Sequence, residues 1–256
     1  MIQKQPNKKA SQKGFTLVEL SIVLVIIGLI VGGVLAGQSL ITAAKIRAQM
    51  TQLDQFDAGF NAFRAKYDCL PGDCTVAQTP TFSQTTARTA STTGTGSVGD
   101  GNIDYVAAVA TSDESLVAWN QLGVVGVIAG TYTPVAAAAL PGTALPAGKS
   151  AGYVMLGGVG GTTFYNLAGY NASANSTPVI PAGTAAAVDK KRDDGISNTG
   201  SVRSLASGEN TPFGSTTADA TPYAGSTADA ACNNAAFAYQ SGKDQAVCVL
   251  RVRVSG

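Results

Sequence analysis

A single glutamate, Glu19, lies inside an otherwise uncharged apolar run near the start of this 256-residue chain. The run extends from Phe15 to Gly37, and the leader before it carries four lysines and no acidic residue. As a helix, such a run is about 34 Å long, which is enough to cross the hydrocarbon core of a bilayer. A lone carboxylate in that core costs about 3 kcal/mol or more. We therefore expect Glu19 to have a dedicated partner.

The residues that precede and surround Glu19 form a recognisable motif, which reads Lys13-Gly14-Phe15-Thr16-Leu17-Val18-Glu19-Leu20. This motif resembles the prepilin signal of the type IV pilin and pseudopilin family. The resemblance implies that an inner-membrane prepilin peptidase cleaves after Gly14 and methylates the new amino terminus at Phe15. A conventional secretory signal peptide is the alternative, but its apolar core is only about 7–15 residues long.

The resemblance also implies a role for Glu19 in filament assembly, together with Phe15. Cleavage leaves a cationic amine on Phe15, and Glu19 of an incoming subunit would pair with that amine on a neighbour. Two charges that are costly alone become tolerable as a pair in a medium of low dielectric. The alternative is that Glu19 only reaches back to the lipid headgroups.

The partners and the location are likewise expectations from the resemblance. The chain would polymerise with copies of itself and with related minor pilins, on an inner-membrane assembly platform driven by a cytoplasmic ATPase. Since positive charge stays on the cytoplasmic side, the chain should cross the inner membrane once, with its bulk outside the cytoplasm. The end product would be a type IV pilus on the cell surface or a periplasmic pseudopilus of type II secretion. The choice between the two, and between a major and a minor subunit, stays open.

Apolar residues continue at helical spacing beyond the membrane-length run, at Ile46, Met50, Leu53, Phe56, Phe60, Phe63 and Tyr67. Their steps of three and four place them on one face of a helix. The sequence therefore predicts one long helix over about residues 16–67, ended by the turn formers Pro71 and Gly72. With the family resemblance, the expected fold is α+β, a pilin-like lollipop with a small antiparallel sheet and long loops. Its expected divisions are a leader (1–14), an apolar half-helix (15–37), an amphipathic half-helix (38–68) and a head (69–256).

Several shorter elements are expected in the head. A capping box at Thr111–Glu114 predicts a short helix that carries Trp119 as a core anchor. Strands are predicted over 152–156, 162–167 and 247–254, and loops around 134–149, 171–187 and 207–231. In the last strand the residues alternate, which predicts a half-buried strand with Arg251 and Arg253 on its exposed side.

The four cysteines all follow the apolar run, and they suit two disulfides in an oxidising compartment. Three pairings are possible. We favour Cys69–Cys74, which closes the Leu-Pro-Gly-Asp turn, and Cys232–Cys248, which joins the last strand to a preceding loop. A zinc site is disfavoured, because the chain has no CxxC spacing and no histidine.

Two acidic loops carry oxygen ligands of the kind that calcium prefers. The first contains Asp100, Asn102 and Asp104, and the second contains Asp189, Asp193 and Asp194. The first loop lacks the glycine and glutamate of an EF-hand. For both loops the alternative is a polar turn in which the aspartates bind backbone N–H groups, and no other cofactor is expected.

Composition narrows the possible functions further. Without histidine the chain cannot carry a Ser-His or Cys-His catalytic pair, and no spaced pair of carboxylates stands in a recognisable motif, so an enzyme is not expected. The net charge of +1 becomes −3 when the four lysines of the leader are removed. This composition does not indicate binding to nucleic acid.

Overall fold

A computed structural model describes residues 15–75, 99–103, 114–134, 142–150, 152–159, 161–170, 176–205, 232, 238–240 and 246–255. The chain divides into two compact units, one that ends at Ala44 and one that extends from Lys45 to Gly256. Three helices are described: α1 (Leu17–Tyr67), α2 (Glu114–Val124) and α3 (Ala182–Arg192). Six strands are described: β1 (Tyr153–Val159), β2 (Thr162–Tyr170), β3 (Ser176–Thr177), β4 (Ile180–Pro181), β5 (Val202–Leu205) and β6 (Ala246–Arg253). The predicted α+β class is confirmed.

The long predicted helix is confirmed by α1, and so is its apolar face. From Lys45 onward, five of the predicted side chains are buried and two are partly buried. The buried ones are Ile46, Leu53, Phe56, Phe60 and Phe63, and the partly buried ones are Met50 and Tyr67. Burying a side chain of this size stabilises a fold by about 2 kcal/mol, so this face holds the helix against the rest of the second unit.

Polar residues on α1 are also buried, which the apolar spacing did not predict. Gln49 Oε1 accepts a hydrogen bond from the Ser150 amide at 3.0 Å, and Gln52 Nε2 donates to the Ala147 carbonyl at 2.9 Å. These side chains hold the 147–150 loop on the helix. Farther along, the helix approaches another loop so closely that a Cβ on Gly59 would lie 2.6 Å from Ile128 Cγ2.

The strands form one antiparallel sheet in the order β1-β2-β6-β4, with β3 beside β2 and β5 beside β6. In the register, β2 lies between β1 and β6, so that Tyr165 faces Leu156 on one side and Val252 on the other. The three predicted strands correspond to β1, β2 and β6. The last of them is therefore a central strand of the sheet.

The predicted half-buried character of β6 is wrong at Arg251. Arg253 is exposed as expected, but Arg251 is buried. Its Nε donates to Asn166 Oδ1 at 3.0 Å, and its guanidinium lies over the ring of Phe164 at 5.2 Å. A central strand has neighbours on both edges, so an arginine there can be buried when a neighbouring strand supplies an acceptor and an aromatic face.

The predicted loop over 171–187 is wrong over most of its length. Positions 176–187 contain β3, β4 and the first half of α3. The inward side of α3 consists of small residues, among them Ala182, Ala185 and Val188, which are buried. Alanine favours a helix, but such small side chains give a weak apolar pattern. The predicted loop over 207–231 lies outside the described residues, as does most of 134–141.

Trp119 is a core anchor, as predicted. It is fully buried on α2, with its ring 4.8 Å from that of Phe56 on α1 and 6.3 Å from that of Tyr165 on β2. The predicted capping residue Thr111 lies outside the described residues. On the same helix, Gln121 Oε1 accepts a hydrogen bond from the Gly72 amide at 2.6 Å, which ties α2 to the turn that follows α1.

Candidate functional site

Thr16 and Glu19 together cap the amino terminus of α1. Glu19 Oε2 accepts hydrogen bonds from the Thr16 amide at 2.8 Å and from the Thr16 hydroxyl at 2.9 Å. In return, the Glu19 amide donates to the Thr16 hydroxyl at 3.2 Å. This reciprocal arrangement is a capping box, in which a Thr and a Glu three residues later satisfy the free donors of the first turn. The role of Thr16 was not predicted, although the spacing Thr-x-x-Glu carries the signal.

The first half of α1 is apolar on all sides. Its residues from Phe15 to Ala36 are exposed in the single chain, with Phe15 exposed by 84%. Among the described residues, α1 is the one helix long and apolar enough to cross a membrane, by length and composition. A Cβ added at any of the glycines Gly28, Gly32, Gly33 and Gly37 would meet no atom within 4 Å. Glu19 therefore lies on an uncovered apolar surface, with Thr16 of its own chain as its partner.

Comparison with known families identifies this amino-terminal segment. Residues 9–35 match the family model of the prokaryotic N-terminal methylation motif. This segment is the class III signal peptide of type IV pilins and pseudopilins. Neither a curated protein nor a solved structure gives a significant match to the chain. The identification therefore rests on the prepilin signal and the helix that it opens.

The prepilin signal supports membership of the pilin or pseudopilin family, processing by a prepilin peptidase and polymerisation with pilins. It also agrees with insertion into a membrane through the apolar helix. Gly14, the residue before the expected cut, lies outside the described residues. Phe15 and Glu19 lie within them, and they are separated by the single helical turn that Thr16 caps.

Two disulfides staple the second unit, and they are the pairings favoured from the sequence. Cys69 is joined to Cys74 and Cys232 to Cys248. The first closes the turn at the end of α1. The second attaches Cys232 to β6 in the centre of the sheet, where both sulfurs are buried. These bonds suit an oxidising compartment.

The first acidic loop is held by backbone contacts. Asp73 Oδ2 accepts a hydrogen bond from the Gly101 amide at 2.8 Å, and its other oxygen binds the Gly99 amide. Asn102 Oδ1 accepts from the Gly161 amide at 2.9 Å. Burial raises the pKa of Asp73 despite these bonds. Asp104, the third predicted ligand, lies outside the described residues, so a calcium site in this loop stays a prediction.

The second acidic loop brings its three predicted ligands together. One oxygen from each of Asp189, Asp193 and Asp194 lies within 4.8 Å of the others. Each carboxylate also serves a polar turn: for example, Asp189 accepts from the Gly195 amide at 3.1 Å and from the Tyr239 hydroxyl at 2.9 Å. Burial raises the pKa of Asp189 to about 6.

The carboxylates of Asp189, Asp193 and Asp194 are ligands of a type that binds calcium. Carboxylate oxygens are the groups that calcium prefers. Each oxygen of Asp189 and Asp194 accepts one hydrogen bond and keeps a second lone pair, whereas Asp193 Oδ2 already accepts two. The hydrogen bonds that these aspartates accept from backbone amides also fit the alternative, a polar turn without a metal ion. Calcium binding at this loop therefore stays a proposal, with its test given below.

An ion pair that the sequence did not predict joins this region to α1. Arg192, at the end of α3, binds Asp57 and Asp54 on α1, and the Asp54 contact measures 3.0 Å. The Asp57 side chain is buried, with 7% exposed, and its Oδ2 also accepts from the Ser255 hydroxyl. Arg192 thus pairs with residues of α1 that lie more than a hundred positions earlier in the chain.

Proposed function

We propose that this chain is a structural subunit of a type IV pilus-like filament. It would be inserted in the inner membrane, cleaved after Gly14, methylated at Phe15 and polymerised through the apolar half of α1. The proposal rests on Glu19, which is a charged residue on the exposed and otherwise apolar surface of α1. It lies within the segment that matches the prepilin signal. We propose no catalytic activity for the head.

The two partners available to Glu19 define its place in assembly. In the single chain its carboxylate is held by Thr16 at the helix start. Cleavage after Gly14 would place a cationic amine on Phe15, one residue before this cap. A neighbour's amine can then add a charged hydrogen bond to a carboxylate that the cap has already oriented, and charged hydrogen bonds are about twice as strong as neutral ones.

Glu19→Gln tests the charge separately from the cap. Glutamine can take the place of glutamate in a capping box, so this variant keeps the helix start and removes only the negative charge. We expect membrane levels and leader cleavage like those of the wild type, and a large loss of sheared filaments. The matched control is Thr16→Ser, which keeps both the cap and the charge and should assemble normally. Wild-type filament yield from Glu19→Gln would contradict the proposal.

The alternative is that the chain has a different role in the same kind of assembly. It would then be a pseudopilin of a type II secretion system, or a minor pilin that initiates or decorates a filament. The prepilin signal is common to all of these proteins. Shearing cells and identifying the filament protein by mass separates them. An abundant surface filament of this chain supports a major pilin, and recovery only from the periplasm supports a pseudopilin.

We further propose calcium as a ligand of the Asp189, Asp193 and Asp194 loop. Three carboxylates converge there, and a bound divalent cation would offset their mutual repulsion. A chelator should lower the thermal midpoint of the full chain in detergent, and it should have no effect on Asp189→Asn. An equal response of the two proteins would contradict a calcium site at this loop.

A further inference from the structure

Two arginines from different elements face one pocket in the second unit. Arg64 on α1 and Arg253 at the end of β6 both line this pocket, which has a volume of about 340 Å³. Thr162 and Thr163, at the start of β2, also line it. Among its described lining residues there is no carboxylate. We call this feature the arginine pocket.

Other arginines of the second unit have partners within the chain. Arg192 binds two aspartates, and Arg251 binds Asn166 and stacks on a phenylalanine. The guanidinium groups of Arg64 and Arg253 make no hydrogen bond or ion pair with the described residues. The described wall of the arginine pocket thus carries two arginines and no carboxylate, while Asp68 and Asp73 line a separate pocket with Arg64 and Asp54 lines another with Arg253.

Two arginines that line one pocket whose described wall has no carboxylate give it positive charge, and an oxyanion bound there would be attracted to both. The planar guanidinium presents a fork of N–H donors that matches a carboxylate or a phosphate. A volume of about 340 Å³ lies within the range of ligand-binding pockets. The pocket is therefore suited to a small oxygen anion held by the two arginines.

The mature chain itself supplies many such anions. After loss of the leader its net charge is −3, with 16 acidic residues. In a helical filament each subunit contacts its neighbours through two different surfaces, so a positive pocket on one copy can meet a negative group on the next. We propose that the arginine pocket binds the carboxylate of an acidic side chain from a second copy of the chain. This inference rests on the proposed filament function.

The first test compares filaments of the full chain that carry Arg64→Gln or Arg253→Gln with filaments that carry Arg47→Gln. Arg47 is an exposed arginine on the same helix as Arg64, but it does not line the pocket. A hydrogen bond to a charged group contributes enough for about a tenfold change in an association constant. We expect about a tenfold lower filament yield for either pocket variant at equal membrane level, and wild-type yield for the control. Pocket variants that assemble like Arg47→Gln would overturn the proposal.

The second test asks whether a free anion is the occupant. The thermal midpoint of the unassembled full chain in detergent is titrated with sodium phosphate, against sodium chloride at equal ionic strength. A phosphate-specific rise that both pocket variants lose, together with normal filaments from those variants, would overturn the second-copy carboxylate in favour of a free anion. If the wild type forms no filament at all, the proposed function itself fails. The phosphate titration would still report on the pocket.

Discussion

The ion pair between Arg192 and Asp57 makes a quantitative prediction about the stability of the second unit. Replacing Arg192 by methionine keeps much of the side-chain volume and removes the charge. Asp57 would then be a buried carboxylate whose bound oxygen has only the Ser255 hydroxyl as a partner. Its second oxygen is buried and makes no hydrogen bond of normal geometry with the described residues, and the buried Tyr165 hydroxyl lies near this carboxylate. The variant therefore leaves a buried charge that has no cationic partner among the described residues.

The size of the effect follows from burial. Breaking a buried pair by removing one partner costs about 3–5 kcal/mol, and the side chains of Arg192 and Asp57 are only 11% and 7% exposed. Asp54, the second partner of Arg192, has a side chain that is 68% exposed, and exposed pairs contribute less than about 1 kcal/mol. We therefore expect Arg192→Met to cost about 3–5 kcal/mol, and Asp54→Asn to cost less than about 1 kcal/mol.

The assay is urea unfolding of the full chain in detergent, followed by the fluorescence of Trp119, the single tryptophan of the chain, which lies in the core. The double variant Arg192→Met with Asp57→Leu serves as the control, because it removes both charges and should recover most of the lost free energy of unfolding. Equal losses from Arg192→Met and Asp54→Asn would refute the buried-charge reasoning.

Three further predictions concern the same unit. Gly59→Ala should cost about 1–3 kcal/mol of unfolding free energy, because the new methyl group would overlap the loop that covers the helix, whereas Gly33→Ala has open space around it and should cost nothing. With a chelator present, lowering the pH from 7 to 4 should raise the free energy of unfolding, because the buried Asp189 carboxylate becomes protonated in the folded chain. Its folded pKa of about 6 lies above the ordinary 3.8, so its contribution is full below pH 4 and lost as the pH rises through 6; Asp189→Asn should reduce this slope of the unfolding midpoints against pH and leave the part due to Asp73, whose pKa is also raised. Replacing Cys232 and Cys248 by serine should cost about 3 kcal/mol in urea unfolding, because the bond closes a loop with a sequence separation of 16; reduction of the wild type, which also opens Cys69–Cys74, should give a shift at least as large.

The elements that could be predicted from the sequence are those with a strong local pattern. A membrane-length apolar run defines the first half of α1, and large apolar residues at steps of three and four define its second half. Alternation and β-branched residues define β1, β2 and β6. The turn around Pro71 and Gly72 brings Cys69 near Cys74, which made that pairing the favoured one.

The elements that were missed depend on contacts between distant parts of the chain. The inward face of α3 is made of alanine, valine and Asp189, which together give a weak apolar signal, and its burial comes from the sheet beneath it. Arg251 is buried because β6 is central, a property of strand order rather than of alternation. The Arg192 and Asp57 contact joins positions 135 residues apart.

The candidate site was predicted in part. Phe15 and Glu19 were found from the motif, because an acid in an apolar run is rare. Thr16 was overlooked, although its spacing from Glu19 is that of a capping box. Its hydrogen bonds show that the glutamate has a partner within its own chain before any neighbour arrives.

The mass of the chain in isolated filaments shows whether the leader is removed at Gly14 and whether assembly requires Glu19. Sheared filaments should contain this chain as a 242-residue form that begins at Phe15 and carries an N-terminal methyl group, since removing 14 of the 256 residues leaves 242. The charge-neutral Glu19→Gln form should be processed to the same mass in membranes and be nearly absent from the filaments. Filaments that contain the uncleaved chain would contradict processing after Gly14. Filaments that contain Glu19→Gln at the wild-type level would contradict assembly through the charge of Glu19.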